Sequence, residues 1–154
     1  MYTSDYPIIN CTADSAVMYR HESVWHILLV RRGSEPFKNA WALPGGFVNV
    51  DERTYDAAKR ELAEETGLEV RGLGFFGVYD RLDRDPRGRV ISFIYHLMLT
   101  YQSIPEVKGG DDAVEAKFWP VTNLPTLAFD HRSIIRDILT SEANRRLDLA
   151  YYGN

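Results

Sequence analysis

From Gly46 to Leu68 the chain reads GFVNVDERTYDAAKRELAEETGL, which sets carboxylates at fixed intervals beside a glycine turn. Five residues separate Gly46 from Glu52, and seven more lead to Arg60, Glu61 and Leu62; Glu64, Glu65, Gly67 and Leu68 close the stretch. No Gly or Pro interrupts Thr54 to Thr66, and Ala57, Ala58, Leu62, Ala63 and their charged neighbours favour a helix there. Asp51 or Thr54 can cap its start, and Gly67 suits the left-handed residue after its end. On such a helix Glu61, Glu64 and Glu65 stand at i, i+3 and i+4 and share one face. Like charges so spaced cost about a few tenths of a kcal/mol per pair, a cost that a divalent cation removes. Mg2+ suits an all-oxygen set, since it is hard, keeps several waters and takes substrate phosphates in its open positions. Arg60, one turn before Glu64, can orient it by a charge-assisted hydrogen bond. Ala57, Ala58 and Leu62 offer a small apolar face to a sheet, and Pro44-Gly45-Gly46 permits a tight turn or a close backbone approach. A RELxEE run alone is more often a solvated helix face; the extended spacing is what argues otherwise.

That spacing, G-x5-E-x7-R-E-U-x-E-E-x-G-U with U a bulky aliphatic, is met without a mismatch. It looks like the Nudix box, and the chain resembles a Nudix hydrolase. The resemblance implies an α/β/α sandwich around a mixed β-sheet, here one domain over residues 1–154. The rest of the chain agrees. Ile8 to Tyr19 and the apolar run Val24 to Arg32 read as strands, and Gly33 to Asn39 as a loop. Trp41 to Val50 holds the glycine turn and a short strand, Phe47 to Val50. Glu69 to Tyr79, Arg89 to Tyr101 and Glu115 to Val121 read as further strands, Arg81 to Gly88 as a charged turn, and Ala128 to Arg146 as a closing helix. Mixed helices and strands with antiparallel links give an α/β class.

At 154 residues, 45% apolar and 26% charged, the composition is that of an ordinary single domain. A net charge of −4 argues against a nucleic-acid surface, and no apolar run reaches membrane-spanning length. The amino terminus lacks the layout of a secretion signal, and Cys11 is the only cysteine, so a cytoplasmic setting is expected.

Within the family, Asp14 in TADSAVMY, His26 to Phe47, Asp83 to Ser92 and Gly110 to His131 resemble the subgroup of ADP-ribose pyrophosphatases, adenylyltransferase fusions and regulators of NAD metabolism. The resemblance implies Mg2+-dependent cleavage of ADP-ribose to AMP and ribose 5-phosphate, with Mn2+ as a substitute metal. The expected metal ligands are Gly46, Glu61, Glu64, Glu65 and Asp112, with Glu52 as a possible helper. The catalytic candidates are Glu64, Glu61, Arg60 and Glu115. One carboxylate is expected from a late loop, and the residues alone do not choose among Asp111, Asp112 and Glu115. Arg31, Arg32, Arg84, Arg87 and Arg89 can hold a diphosphate or ribose, Phe37 and Trp41 can stack on adenine, and Gly45 and Gly46 can admit the substrate. Trp41 reads equally well as core, and Arg81 to Arg89 as a solvated hairpin tip. Asp130 is a helix-cap candidate, and a lone His131 is more often structural than functional. The rival readings are hydrolysis of other nucleotides and a non-catalytic ADP-ribose sensor. About twenty residues follow Ile134, fewer than an added winged-helix domain needs, which favours turnover. A homodimer is expected from the resemblance, with Trp25, Tyr151 and Tyr152 as contact candidates.

Overall fold

Two consecutive residue parities decide the layering. In the run IIe27-Leu28-Leu29 all three side chains are fully buried, yet Ile27 and Leu29 belong to one apolar cluster and Leu28 to another. Successive strand residues point to opposite faces, so a continuous apolar strand needs cover on both. The computed structural model, which describes residues 4–152 and side chains to residue 143, supplies that cover with a helix on each side of a mixed sheet.

The strands are β1 (Asn10–His21), β2 (Val24–Arg32), β3 (Trp41–Ala42), β4 (Gly45–Phe47), β5 (Gly74–Tyr79), β6 (Val90–Leu99) and β7 (Ala113–Pro120); the helices are α1 (Thr54–Thr66) and α2 (His131–Tyr152). The main path runs β3-β2-β1-β6-β5, with β4 beside β1 and β7 beside β2. Only β1 and β6 pair in parallel, Asn10 with Val90 through Tyr19 with Leu99. One edge of β1 is shared, by β4 at its start and β2 at its end. Ala57 and Ala58 of α1 pack on Ala13 and Tyr95, and Leu62 packs on Val17 and Leu28. On the other face Ile134, Ile135 and Ile138 of α2 meet Ala16, Met18, Ile27 and Ile94.

Helix α1 and strand β2 span the residues expected of them. Other boundaries move for identifiable reasons. Ile8 and Ile9 are exposed and precede β1. The glycines themselves form β4, pairing with Ala13 and Asp14, while Val50 is solvent-exposed. Neither Asp51 nor Thr54 caps α1: Arg53 occupies the N-cap without a side-chain bond, and the Thr54 hydroxyl is shared with Tyr95 at 2.7 Å. Gly67 closes α1 in the left-handed region at φ 75°, donating to the Ala63 carbonyl. The last helix starts three residues late because Phe129 has φ 51°, which no right-handed turn accommodates. Trp25 packs against the α2-side core, and the side chains of Tyr151 and Tyr152 lie outside those described.

The segment before α2 is stitched to β3: Trp41 donates to Thr126 O at 2.9 Å, and Ala128 donates to Trp41 O at 2.8 Å. His131, the first residue of α2, accepts the Leu43 backbone N–H on Nδ1 at 2.9 Å. This bond needs a neutral ring, and burial pushes the imidazole from 6.5 down to about 4, with Asp130 pulling the other way. A group whose folded pKa is depressed and which is neutral when folded takes up its proton on unfolding. Its contribution is therefore intact above about 6.5 and is lost as pH falls toward 4. In metal-free denaturant titrations between pH 7.5 and 4.5, wild type should lose roughly 2–3 kcal/mol more than His131→Gln, which keeps an acceptor but does not titrate. Parallel pH slopes for the two proteins would contradict a neutral, bonded His131.

Candidate active site

Arg60 has five N–H donors, and all five are used. Nε and Nη2 grip the two oxygens of Glu52 at 3.0 and 2.6 Å, and Nη2 also reaches Phe47 O at 3.2 Å. Nη1 donates to Glu61 Oε1 at 2.8 Å and to Glu64 Oε2 at 3.2 Å. Glu52, in turn, accepts the Asn49 backbone N–H at 2.8 Å. The guanidinium thus ties the strand–helix loop to two carboxylates one turn apart. Both carboxylate oxygens of Glu52 are engaged in this scaffold.

Glu61 and Glu64 are joined by Asp111, which reaches them from the loop before β7. One oxygen from each of the three lies within 4.8 Å of the others. Three hard oxygen donors so grouped fit a small divalent cation that keeps water and phosphate in its remaining positions. The loop is held against the C-terminal end of α1, whose last carbonyls need donors: Lys108 N donates to Thr66 O at 3.0 Å and Gly110 N to Glu65 O at 3.1 Å. Asp111 follows at φ 52°, a left-handed turn that aspartate tolerates better than most residues.

The other expected carboxylates stand elsewhere. Glu65 is buried and its Oε1 accepts the Gly45 N–H at 2.9 Å; burial pushes its pKa to about 8. Asp112 lines the cavity but is outside the group of three. Glu115 lies across the ladder from Arg31, pairs with it at 3.5 Å and does not line the cavity. Gly45 and Gly46 leave no room for a side chain. A Cβ on Gly45 would overlap the Asp14 carboxylate, and one on Gly46 would sit 2.6 Å from the Glu61 carboxylate.

Gly45, Gly46, Arg60, Glu61, Glu65 and Asp111 line a cavity of about 360 Å3 together with Asp112, and Glu64 stands outside its lining. Its outer rim is aromatic and cationic. Phe129 lies 4.9 Å from the Phe37 ring, and its face carries Arg32 at 5.0 Å and Arg87 at 5.3 Å; Arg87 also covers Phe47 at 4.7 Å. Asp85 holds Arg87 by two bonds, at 3.0 and 2.8 Å. Arg32 spends only Nε, on Pro36 O at 2.8 Å, so both its Nη groups are free among the described residues. Burial, then Arg87, lowers its pKa.

Four expected substrate contacts do not line the cavity: Phe37, which packs on its Phe129, and Trp41, Arg89 and Arg31. Trp41 is 8% exposed and packs edge-on to Trp119 at 5.1 Å, so it is core. Arg89 donates to Asp80 O at 2.7 Å, and Arg31 pairs with Glu115 and Asn39. The Arg81–Gly88 turn is a solvated tip only in part: Arg81 to Asp83 are exposed, whereas Arg84 and Asp85 fold inward. Arg84 makes a buried two-pronged pair with Asp130 at 2.9 and 2.7 Å and donates to Ser92 at 2.6 Å, which removes Asp130 from capping duty. Asp14, His131, Ser92 and Thr12 also line the cavity and were not assigned to it from sequence. A usable signal existed: Asp14 is a charge inside an apolar strand, in phase with the core residues Ala16 and Met18.

The NUDIX domain profile matches residues 11–138. The chain is 50% identical over 113 residues to an ADP-ribose pyrophosphatase of Methanocaldococcus jannaschii, covering 73% of this chain and 65% of that protein, so it spans slightly less than two thirds of that relative's length. A bifunctional NMN adenylyltransferase/ADP ribose pyrophosphatase from Francisella tularensis superposes with a TM-score of 0.80 at 32% identity, over 89% of this chain and 42% of that one. The NUDIX domain of Shewanella oneidensis NrtR, solved with ADP ribose, superposes with a TM-score of 0.76 at 28% identity, over 92% and 90% of the two chains. The family match covers both helices' packing faces, the glycine pair and every carboxylate of the cluster, and the chain belongs to the NUDIX family.

Proposed function

We propose that this protein hydrolyses the diphosphate bond of a nucleoside diphosphate joined to a second group, with ADP-ribose as substrate and AMP and ribose 5-phosphate as products. The observation that carries the reading is the grouping of Glu61, Glu64 and Asp111, of which Glu61 and Asp111 line a cavity that is also lined by Arg32 with its two free Nη groups. Carboxylates alone repel a diphosphate, so the arrangement makes chemical sense with a cation between them. The similarity to an ADP-ribose pyrophosphatase supports the choice of substrate.

Glu61, Glu64 and Asp111 would hold the cation, Mg2+ with Mn2+ as a substitute. When bound, such an ion neutralises diphosphate charge and acidifies a water. The chain's own residues do the rest. Arg32 and Arg87 bind and orient phosphate oxygens through planar, multidentate donors. Arg60 fixes the carboxylates before substrate arrives, so no reorganisation is needed during reaction. Glu64 is exposed and is bonded only through Oε2, which leaves Oε1 to take the proton of the attacking water. No helix among the described residues is long and apolar enough to cross a membrane. The reading carries a cytoplasmic setting and a homodimer.

Turnover of a diphosphate panel with Mg2+ tests the reading: ADP-ribose, NADH, nucleotide sugars, diadenosine polyphosphates and oxidised triphosphates, with products resolved by chromatography. ADP-ribose should be preferred, chelation should abolish turnover and added Mg2+ should restore it. Preference for another compound would keep the reaction class and overturn the substrate. Tight ADP-ribose binding without turnover would favour a sensor. Glu61→Gln and Glu64→Gln should each lower kcat by about 100-fold or more while the melting temperature stays at or above that of wild type. Wild-type rates in both variants would contradict the assigned cluster.

A further inference from the structure

The inner end of the cavity differs in chemistry from both the rim and the carboxylate cluster. Thr12, Asp14, Ser92, Arg84 and His131 line it, each no more than 7% exposed. Their bonds leave a defined remainder. Arg84 spends Nε and Nη2 on Asp130 and Nη1 on Ser92, so it forms no ion pair with Asp14. Ser92 is also in hydrogen-bond contact with Thr12 and with Asp14. Asp14 has no salt-bridge partner among the described residues and is outside the cation-holding group of three. His131 accepts the Leu43 N–H on Nδ1, so in the neutral ring the proton sits on Nε2. That N–H has no hydrogen-bond partner among the described residues, and the ring lines the cavity.

A buried acceptor and a buried neutral donor that face one space match an uncharged group that both gives and takes hydrogen bonds. A hydroxyl does both. A nucleobase is better matched at the rim, where Phe47, 40% exposed, and Phe129 supply aromatic rings with guanidinium groups stacked beside them. We propose that Asp14 and the Nε2–H of His131 form a sugar-hydroxyl subsite that selects diphosphates carrying a ribosyl group on the far side of the scissile bond. The assignment rests on the diphosphatase reading above and orients the substrate along the cavity. The base lies at the aromatic rim, the diphosphate between Arg32 and the carboxylates, and the second sugar at the inner end. Asp14 and His131 are thus specificity residues and take no part in bond cleavage.

The test compares kcat/KM for ADP-ribose with that for the methyl ester of ADP, which keeps the same ADP half and lacks the second sugar. Wild type should favour ADP-ribose by about 100-fold or more, because an unfilled buried polar subsite penalises the truncated substrate. Asp14→Asn keeps the shape and replaces one acceptor by a donor; it should cut that ratio by about tenfold or more. Equal losses on both substrates in Asp14→Asn would overturn the subsite and make Asp14 a structural or catalytic group. Should that variant fail to fold, wild type against an ADP-ribose analogue lacking one hydroxyl on the second ribose decides: equal rates overturn the subsite, and a loss of about tenfold supports it. If wild type cleaves ADP-ribose and the methyl ester equally well, the diphosphatase reading stands and the subsite falls. If it cleaves neither, both fall.

Discussion

The guanidinium of Arg60 organises the site and ties it to the fold. Its five donors join Glu52 at the loop, Phe47 at the end of β4, and Glu61 and Glu64 on α1. Two carboxylates on successive turns repel, and without a counter-charge they would splay into solvent. Nη1 of Arg60 holds one oxygen of each, which leaves the other oxygen of each free of Arg60. Burial raises the pKa of Glu61, and the bonds and charge of Arg60 oppose that rise.

The sheet supplies the two walls that this cluster needs. The shared edge of β1 splits where β4 gives way to β2, and the glycine pair at that split brings α1 close enough for Glu65 to hold the Gly45 backbone. On the opposite face, the bonds of Trp41 to Thr126 and Ala128 fix the turn from which Phe129 and His131 line the cavity and Asp130 holds Arg84. The buried Arg84–Asp130 pair then carries Asp85 and Arg87 to the rim. A single cavity therefore gathers residues from β1, β2, β3, β4, α1, β6 and α2 and from the loops between strands and helices.

What could be read from sequence was what depends on local spacing. Helix α1 follows from uninterrupted helix formers ended by Gly67, and the shared face of Glu61 and Glu64 follows from helical period. Strand β2 follows from an apolar run with both faces covered. Features set by distant partners were not legible. The choice of Asp111 over Asp112 depends on a left-handed residue in a loop pinned to the end of α1. Glu115 looked catalytic until its cross-strand partner Arg31 was known, and Trp41 became core through Trp119, far along the chain. Arg84 and Asp130 are 46 residues apart, and nothing local marks them as a pair. Asp14 was visible as an isolated charge in a strand, but its address needed β4 and β6 beside it.

The most direct test of the account is anomalous diffraction from crystals grown with Mn2+ and a non-hydrolysable ADP-ribose analogue. The account predicts Mn2+ bound by oxygens of Glu61, Glu64 and Asp111, with a diphosphate oxygen in the same coordination sphere and the second phosphate against Arg32. An ion held instead by Asp112 or Glu115, or a diphosphate lying away from the three carboxylates, would contradict it.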